Sequence, residues 1–209
     1  MDKCSNREEW LRELVYRLHV EVFLQATVDN HWCIDEDAEM PAFRISCSFP
    51  GGGTARKRIG ECWSALNSAD GTTEMMVSPL LDDEMRVAGI VAHEMVHMYV
   101  GVEHGHKAPF KRLATAIGLE GKMTATTEGE AFKAAVRPIL DDLGPYPHAA
   151  LSLEGCEKKQ TYLLKAECPE CGFTMRVTQK WLTVTGGDLR CPDPDCNDEW
   201  DIAHRMQIG

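Results

Sequence analysis

The chain has 209 residues, 44% of them apolar, with 22 Lys and Arg against 33 Asp and Glu and nine cysteines. That is enough for one good core plus a small appendage, and it excludes a disordered or fibrous chain. The formal charge of -11 excludes a protein that coats nucleic acid by charge alone, because neither residues 1–150 (15 basic, 23 acidic) nor residues 151–209 (7 basic, 10 acidic) are basic.

No apolar run approaches the ~18 residues of a membrane span, and the first nine residues lack the apolar core of a signal peptide. A soluble cytoplasmic protein without membrane contact is expected. An odd number of cysteines without a secretion signal points to a reducing compartment, where paired cysteines hold metal more often than they form disulfides.

Ser5 with Glu8 makes a capping-box pattern, and Trp10, Leu11, Leu14, Val15, Leu18 and Val22 recur at helical spacing. An amphipathic helix is therefore expected from residue 6 to about residue 28. Segments 42–49, 58–65 and 72–77 look extended and are separated by Gly-rich and Asn-Ser-Ala-Asp-Gly turns, which predicts a short antiparallel sheet. Arg56-Lys57-Arg58 beside Gly51-Gly52-Gly53 reads as a solvated hairpin turn, since the phosphate-loop pattern is absent. Asp82 and Asp83 open an apolar helix that Gly101 stops. A third helix is predicted from near Pro109 to near Gly118. Thr127 with Glu130 predicts the cap of a fourth, which contains Pro138 and ends at Gly144-Pro145. Beyond Pro147 a linker leads to cysteine pairs.

The second helix carries His93-Glu94-Met95-Val96-His97, an H-E-x-x-H motif. Spacing of four puts both imidazoles on one helical face, where they can bind one zinc ion, and places Glu94 as general base toward an activated water. Every other residue of 87–100 is apolar, Gly or Tyr. A helix apolar all round is buried, and there three such polar groups are costly unless hydrogen-bonded or bound to metal. A catalytic zinc takes three protein ligands and leaves the fourth position to water. His104, His106, Glu120, Glu128 and Glu130 are the candidates for the third. The metzincin pattern is excluded, because Val100 and Glu103 stand where it requires Gly and His. Tyr99 is on the helical face opposite His97 and is assigned to core packing.

Four segments, Ile59-Gly60-Glu61-Cys62, Met75-Met76-Val77-Ser78-Pro79-Leu80-Leu81, His93 to His97, and Gly105-His106-Lys107-Ala108-Pro109-Phe110-Lys111, follow in the order found in the SprT-like (Spartan-type) metallopeptidase family. The chain resembles that family over roughly residues 40–118. The resemblance implies a zincin-like domain in which His93, His97 and His106 hold a catalytic zinc, Glu94 is the base and His104 is a bystander. Lys107-Ala108 departs from the family's usual glycine there, and the glutamate of that segment is missing. The stretch Leu143-Gly144-Pro145-Tyr146-Pro147-His148 is similar to phage and bacterial members, with His148 in a structural role. The resemblance further implies cleavage of proteins held on DNA, DNA–protein crosslinks included. With DNA as a partner, Arg56, Lys57 and Arg58 become candidate contacts, joined by Arg176, Lys180 and Arg190.

Cys168-Pro169-Glu170-Cys171 and Cys191 with Cys196 give two short-spaced pairs, the frame of a zinc ribbon whose four thiolates close the shell of a structural zinc. The spacer of four in the second pair leaves His204 as an alternative to Cys196. Segment 173–184 alternates like a hairpin strand with Trp181 as its packing anchor. Cys4, Cys33, Cys47, Cys62 and Cys156 stay outside these sites, with Cys47 and Cys62 buried on strands.

The expected architecture is α+β: a zincin-like domain over 1–150, with a small antiparallel sheet and a central H-E-x-x-H helix, then a zinc ribbon over 151–209. The expected function is a zinc endopeptidase holding one catalytic and one structural Zn²⁺ and acting on a protein substrate. The competing readings are a non-catalytic zinc protein that engages nucleic acid or a transcription complex through its ribbon, and a hydrolase of non-protein amides.

Overall fold

Asn6 opens the first helix, α1 (Arg7–Leu18), by accepting a 2.9 Å hydrogen bond from the Glu9 amide. Glu9 reaches back to accept from the Ser5 amide at 2.8 Å and the Ser5 hydroxyl at 2.6 Å. The cap is thus Asn6 with Glu9, one position beyond the expected pair, because the Asn6 amide oxygen meets the first orphan N–H groups and leaves Ser5 to Glu9. The helix is also shorter than expected. It widens into a π turn at His19–Phe23, and the β-branched pair that follows forms a strand, β1 (Thr27–Val28), antiparallel to β2 (His31–Trp32). The computed structural model describes residues 4–28, 31–34, 39–51, 58–154, 163–196 and 206–208, with the strands β1 and β2 described by their backbone alone.

Strands β3 (Phe43–Cys47), β4 (Gly60–Trp63) and β5 (Thr73–Val77) form one sheet in the order β3-β5-β4. The expected antiparallel sheet is mixed instead: β4 runs antiparallel to β5, whereas β3 runs parallel to it, with Phe43 opposite Thr73 and Cys47 opposite Val77. The cause is the chain's route. After β3 it crosses to the far edge to make β4, then turns back to fill the gap, so the central strand has the direction of β3.

Helix α2 (Glu84–Val100) begins where the Asp83 side chain accepts from the Arg86 amide at 2.7 Å, and it stops at Gly101, whose φ is 92°. Its residues from Val87 to Val96 are all buried. A 3₁₀ turn (Val102–His104) reverses the chain into α3 (Ala108–Ala116), with Pro109 in the first turn. Two antiparallel strands then appear, β6 (Leu119–Lys122) and β7 (Ala125–Glu128), ahead of α4 (Glu130–Leu143). Gly129 precedes α4, and Thr127 lies in β7 and caps nothing, because the strand pairing with Glu120 commits its backbone first. Trp10, Leu14 and Leu18 of α1, Val91 and Met95 of α2, and Phe132, Val136 and Ile139 of α4 share one buried core. Each buried apolar side chain of this size contributes about 1.5–3 kcal/mol. Trp10 also donates its ring N–H to the Gly144 carbonyl at 3.0 Å, which ties α1 to the end of α4.

The chain divides into two units, Met1–Ser152 and Leu153–Gly209. In the second, β8 (Leu163–Glu167), β9 (Thr174–Thr178), a short helix α5 (Gln179–Val184) and β10 (Gln207–Ile208) make an antiparallel sheet in the order β10-β8-β9. Ala166, Val177, Leu189 and Met206 form its small buried core. Trp181 does not anchor that core. Thr178 accepts from the Trp181 amide and starts α5 there, so the expected strand ends early and the indole is 56% exposed. The architecture is α+β, and among the described residues no helix is long and apolar enough to cross a membrane.

Candidate metal centres

Helix α2 supplies His93, Glu94 and His97, all on its buried length or last turn. Gly101 ends the helix, and the 3₁₀ turn returns the chain so that His106 comes back onto the two histidines. Its Nε2 lies 3.1 Å from His93 Nε2 and 3.3 Å from His97 Nε2. Four-coordinate zinc with bonds of about 2.0–2.1 Å has ligand atoms about 3.3–3.4 Å apart, so the spacing fits a tetrahedral ion. One shared ring hydrogen serves three converging nitrogens poorly, whereas one cation accepts all three lone pairs. His97 Nδ1 is buried with no hydrogen-bond partner. The Phe110 ring packs under the triad, its centroid 4.8, 4.5 and 4.8 Å from those of His93, His97 and His106.

Burial disfavours imidazolium here and is the first cause of every shift. It lowers His93 to about 3, aided by His97, His106 and Arg86, and lowers His97 to about 4, aided by His106. His106 is lowered for the same reason. All three rings are neutral near pH 7, the state in which imidazole binds metal. On the side away from the triad, His93 Nδ1 is 2.9 Å from the Thr126 hydroxyl, a partner that leaves its Nε2 lone pair free toward His106.

Glu94 is 6% exposed. Burial, reinforced by the charge of Glu61 and opposed by Arg58, raises its carboxyl to about 8. A dication between the histidines opposes that rise, so the loaded site favours a carboxylate able to take a proton. The carboxylate lies against Gly60 of β4. A Cβ there would meet Glu94 Oε1 and would stand 2.6 Å from Ile90 Cγ2, so only glycine leaves the space. A cavity of about 550 Å³ opens over this centre between β4 and β7. Arg58, Glu61, Arg86, Glu94, His93 and His106 are among its polar lining.

The remaining sequence candidates lie elsewhere. His104 is exposed 3.9 Å from Glu103, Glu120 is exposed on β6, Glu128 is held by Arg86 and Glu130 by Lys133. His148 is structural: it bonds the Pro79 carbonyl at 3.0 Å and accepts from Arg7 at 3.2 Å. Tyr99 stacks on Phe23 and bonds His19 at the opposite side of the helix. Of the candidate DNA contacts, Arg56 and Lys57 lie outside the described residues, while Arg58 pairs with Glu61, Lys180 lies over the Trp181 ring and Arg190 approaches Asp188 at 4.0 Å.

In the second unit the sulfurs of Cys168, Cys171, Cys191 and Cys196 lie within 4.8 Å of one another, with Cys171 and Cys191 3.5 Å apart. That is too long for a disulfide and close to the edge of a tetrahedral thiolate site. The backbone N–H of Cys171, and then that of Glu170, lower the Cys168 thiol to about 7, which favours the thiolate. Cys196 joins the group, and His204, the alternative to it, lies outside the described residues. Among the described residues there are therefore two groups able to take a metal, one of three histidines and one of four cysteines.

Sequence reasoning missed Thr126, Arg86, Glu61 and Phe110. The threonines at 124, 126 and 127 and the lone arginine two helical turns before His93 were the available signals. The chain matches no protein-family profile, no curated protein and no solved structure.

Proposed function

We propose that this chain is a zinc-dependent metallopeptidase of zincin type with a zinc-ribbon second domain. The observation that carries the reading is the meeting of three imidazole nitrogens beside the buried Glu94 carboxylate at a cavity of about 550 Å³. His93, His97 and His106 would hold the zinc, which would supply Lewis-acid polarisation and a lowered water pKa. The chain's own part is proton traffic and placement. Glu94 takes a proton from the attacking water as its oxygen adds to the peptide carbonyl, and gives it to the amide nitrogen as the C–N bond breaks. Phe110 and Thr126 hold the histidine rings, and Gly60 leaves Glu94 its position.

The resemblance supplies the substrate class, proteins held on DNA. With a charge of -11, attachment to DNA then comes from the bound protein or from local contacts such as Arg58, and not from the chain's overall field.

Hydrolysis of an unfolded protein, with and without single-stranded or duplex DNA, tests the reading in wild type and Glu94→Gln. The expected result is cleavage by wild type and a loss of at least about 10²-fold in the variant, with zinc content unchanged. Equal activity in both would remove Glu94 from the mechanism. Cleavage of small amides alone would favour the non-protein hydrolase, and DNA binding with no hydrolysis would favour the non-catalytic zinc protein.

A further inference from the structure

Arg86, Gly89 and His93 fall on one face of α2, three and four residues apart. Thr126 and Glu128, two apart, fall on one face of β7. The two faces meet. The Arg86 guanidinium donates to the Thr126 carbonyl at 3.0 Å and to the Glu128 carboxylate at 2.6 Å, and the Thr126 hydroxyl is 2.9 Å from His93 Nδ1. Gly89 makes the approach possible. A Cβ there would meet Glu128 Oε1 and would stand 2.6 Å from its Cδ and 2.7 Å from its Cγ.

We propose that Arg86 and Glu128 are positioning residues for the histidine centre: their ion pair clamps the β6–β7 hairpin onto α2, so that Thr126 fixes the ring of His93 with Nε2 aimed at the metal. The proposal rests on reading the histidines as a metal site.

Three features distinguish this clamp from an ordinary surface pair. Thr126 is 3% exposed, so its hydroxyl needs a partner inside the protein. The Arg86 and Glu128 side chains are 28% and 13% exposed, so loss of either leaves a partly buried charge beside the site. And among the described residues β6 and β7 pair only with each other, with no larger sheet to fix the hairpin's height on α2. Glu128 is not among the converging ligands: Arg86 holds its carboxylate against Gly89, one helical turn before His93.

The test uses the full chain and measures zinc affinity by chelator competition, reading the zinc equivalent that His97→Ala loses. That zinc is expected to bind about 10- to 100-fold more weakly in Arg86→Met, Gly89→Ala and Thr126→Val. Thr126→Ser, which restores the hydroxyl, should return it to the wild-type affinity. Gly89→Ala combined with Thr126→Val should cost no more than Thr126→Val alone, because both break one path. Gly89→Ala raises helix propensity and keeps all charges, so it stays informative where Arg86→Met fails to fold; metal-free melting curves show which has happened. Wild-type affinity in Gly89→Ala and Arg86→Met, with the zinc still lost in His97→Ala, overturns the clamp and leaves the metal site standing. Thr126→Ser binding as weakly as Thr126→Val also overturns it. No zinc beyond that of the cysteine group in wild type overturns the clamp and the metal site together.

Discussion

Gly60 shows how one missing side chain sets the position of Glu94, the proposed general base. The strand β4 passes so close to α2 that a methyl group at Gly60 would occupy the place of the Glu94 carboxylate. Gly60→Ala is therefore expected to keep both zinc ions and the fold while lowering the hydrolysis rate by about 10²-fold, since a displacement near 1 Å costs that much in orientation. Steady-state rates and zinc content measured on the same sample check this, and an unimpaired Gly60→Ala enzyme would show that Glu94 is not held by β4. At this scale the sequence was informative where chemistry repeats in a short window. His93, Glu94 and His97 are legible from spacing alone, because four residues make one helical turn. Thr126 is not, since its partner lies 33 positions away and only the fold brings them together.

The elements differ in how far local rules decide them. The limits of α2 and α3 follow from Asp83, Gly101 and Pro109, residues whose backbone preferences act within one turn. The direction of β3 against β5 depends on the route of the whole sheet, and the hairpin β6–β7 has strands too short for a periodic signal. The π turn after α1 carries a prediction of its own. His19 there is 9% exposed, and burial lowers its pKa below the ordinary 6.5. A depressed folded-state pKa contributes stability that is present above about pH 6.5 and is lost as the pH falls through the lowered value. The wild-type melting temperature should therefore drop more steeply between pH 7 and pH 5 than that of His19→Gln, with both measured at the same zinc load. Parallel pH profiles for the two proteins would show that this ring does not couple folding to protonation.

The whole molecule combines a well-filled unit with one whose described core is small and lies in the same unit as a cluster of cysteines. Met1–Ser152 buries side chains from three long helices, whereas among the described residues of Leu153–Gly209 the apolar core is Ala166, Val177, Leu189 and Met206, beside a cluster of cysteine sulfurs. So small a core leads us to propose that a metal on the four cysteines holds it. Cys171→Ser should lose one zinc and the hydrogen-exchange protection of β8 and β9 while α1, α2 and α4 stay protected; protected strands in the metal-free variant would show that the sheet stands by its own packing. The central claim is that the three histidines form a metal site separate from the four cysteines. Zinc per chain by elemental analysis, on wild type and His97→Ala reloaded with zinc and freed of excess by gel filtration, tests it most directly. The account predicts two zinc ions in wild type and one in the variant, whereas one in each would contradict it, leaving the cysteine group as the protein's sole zinc site.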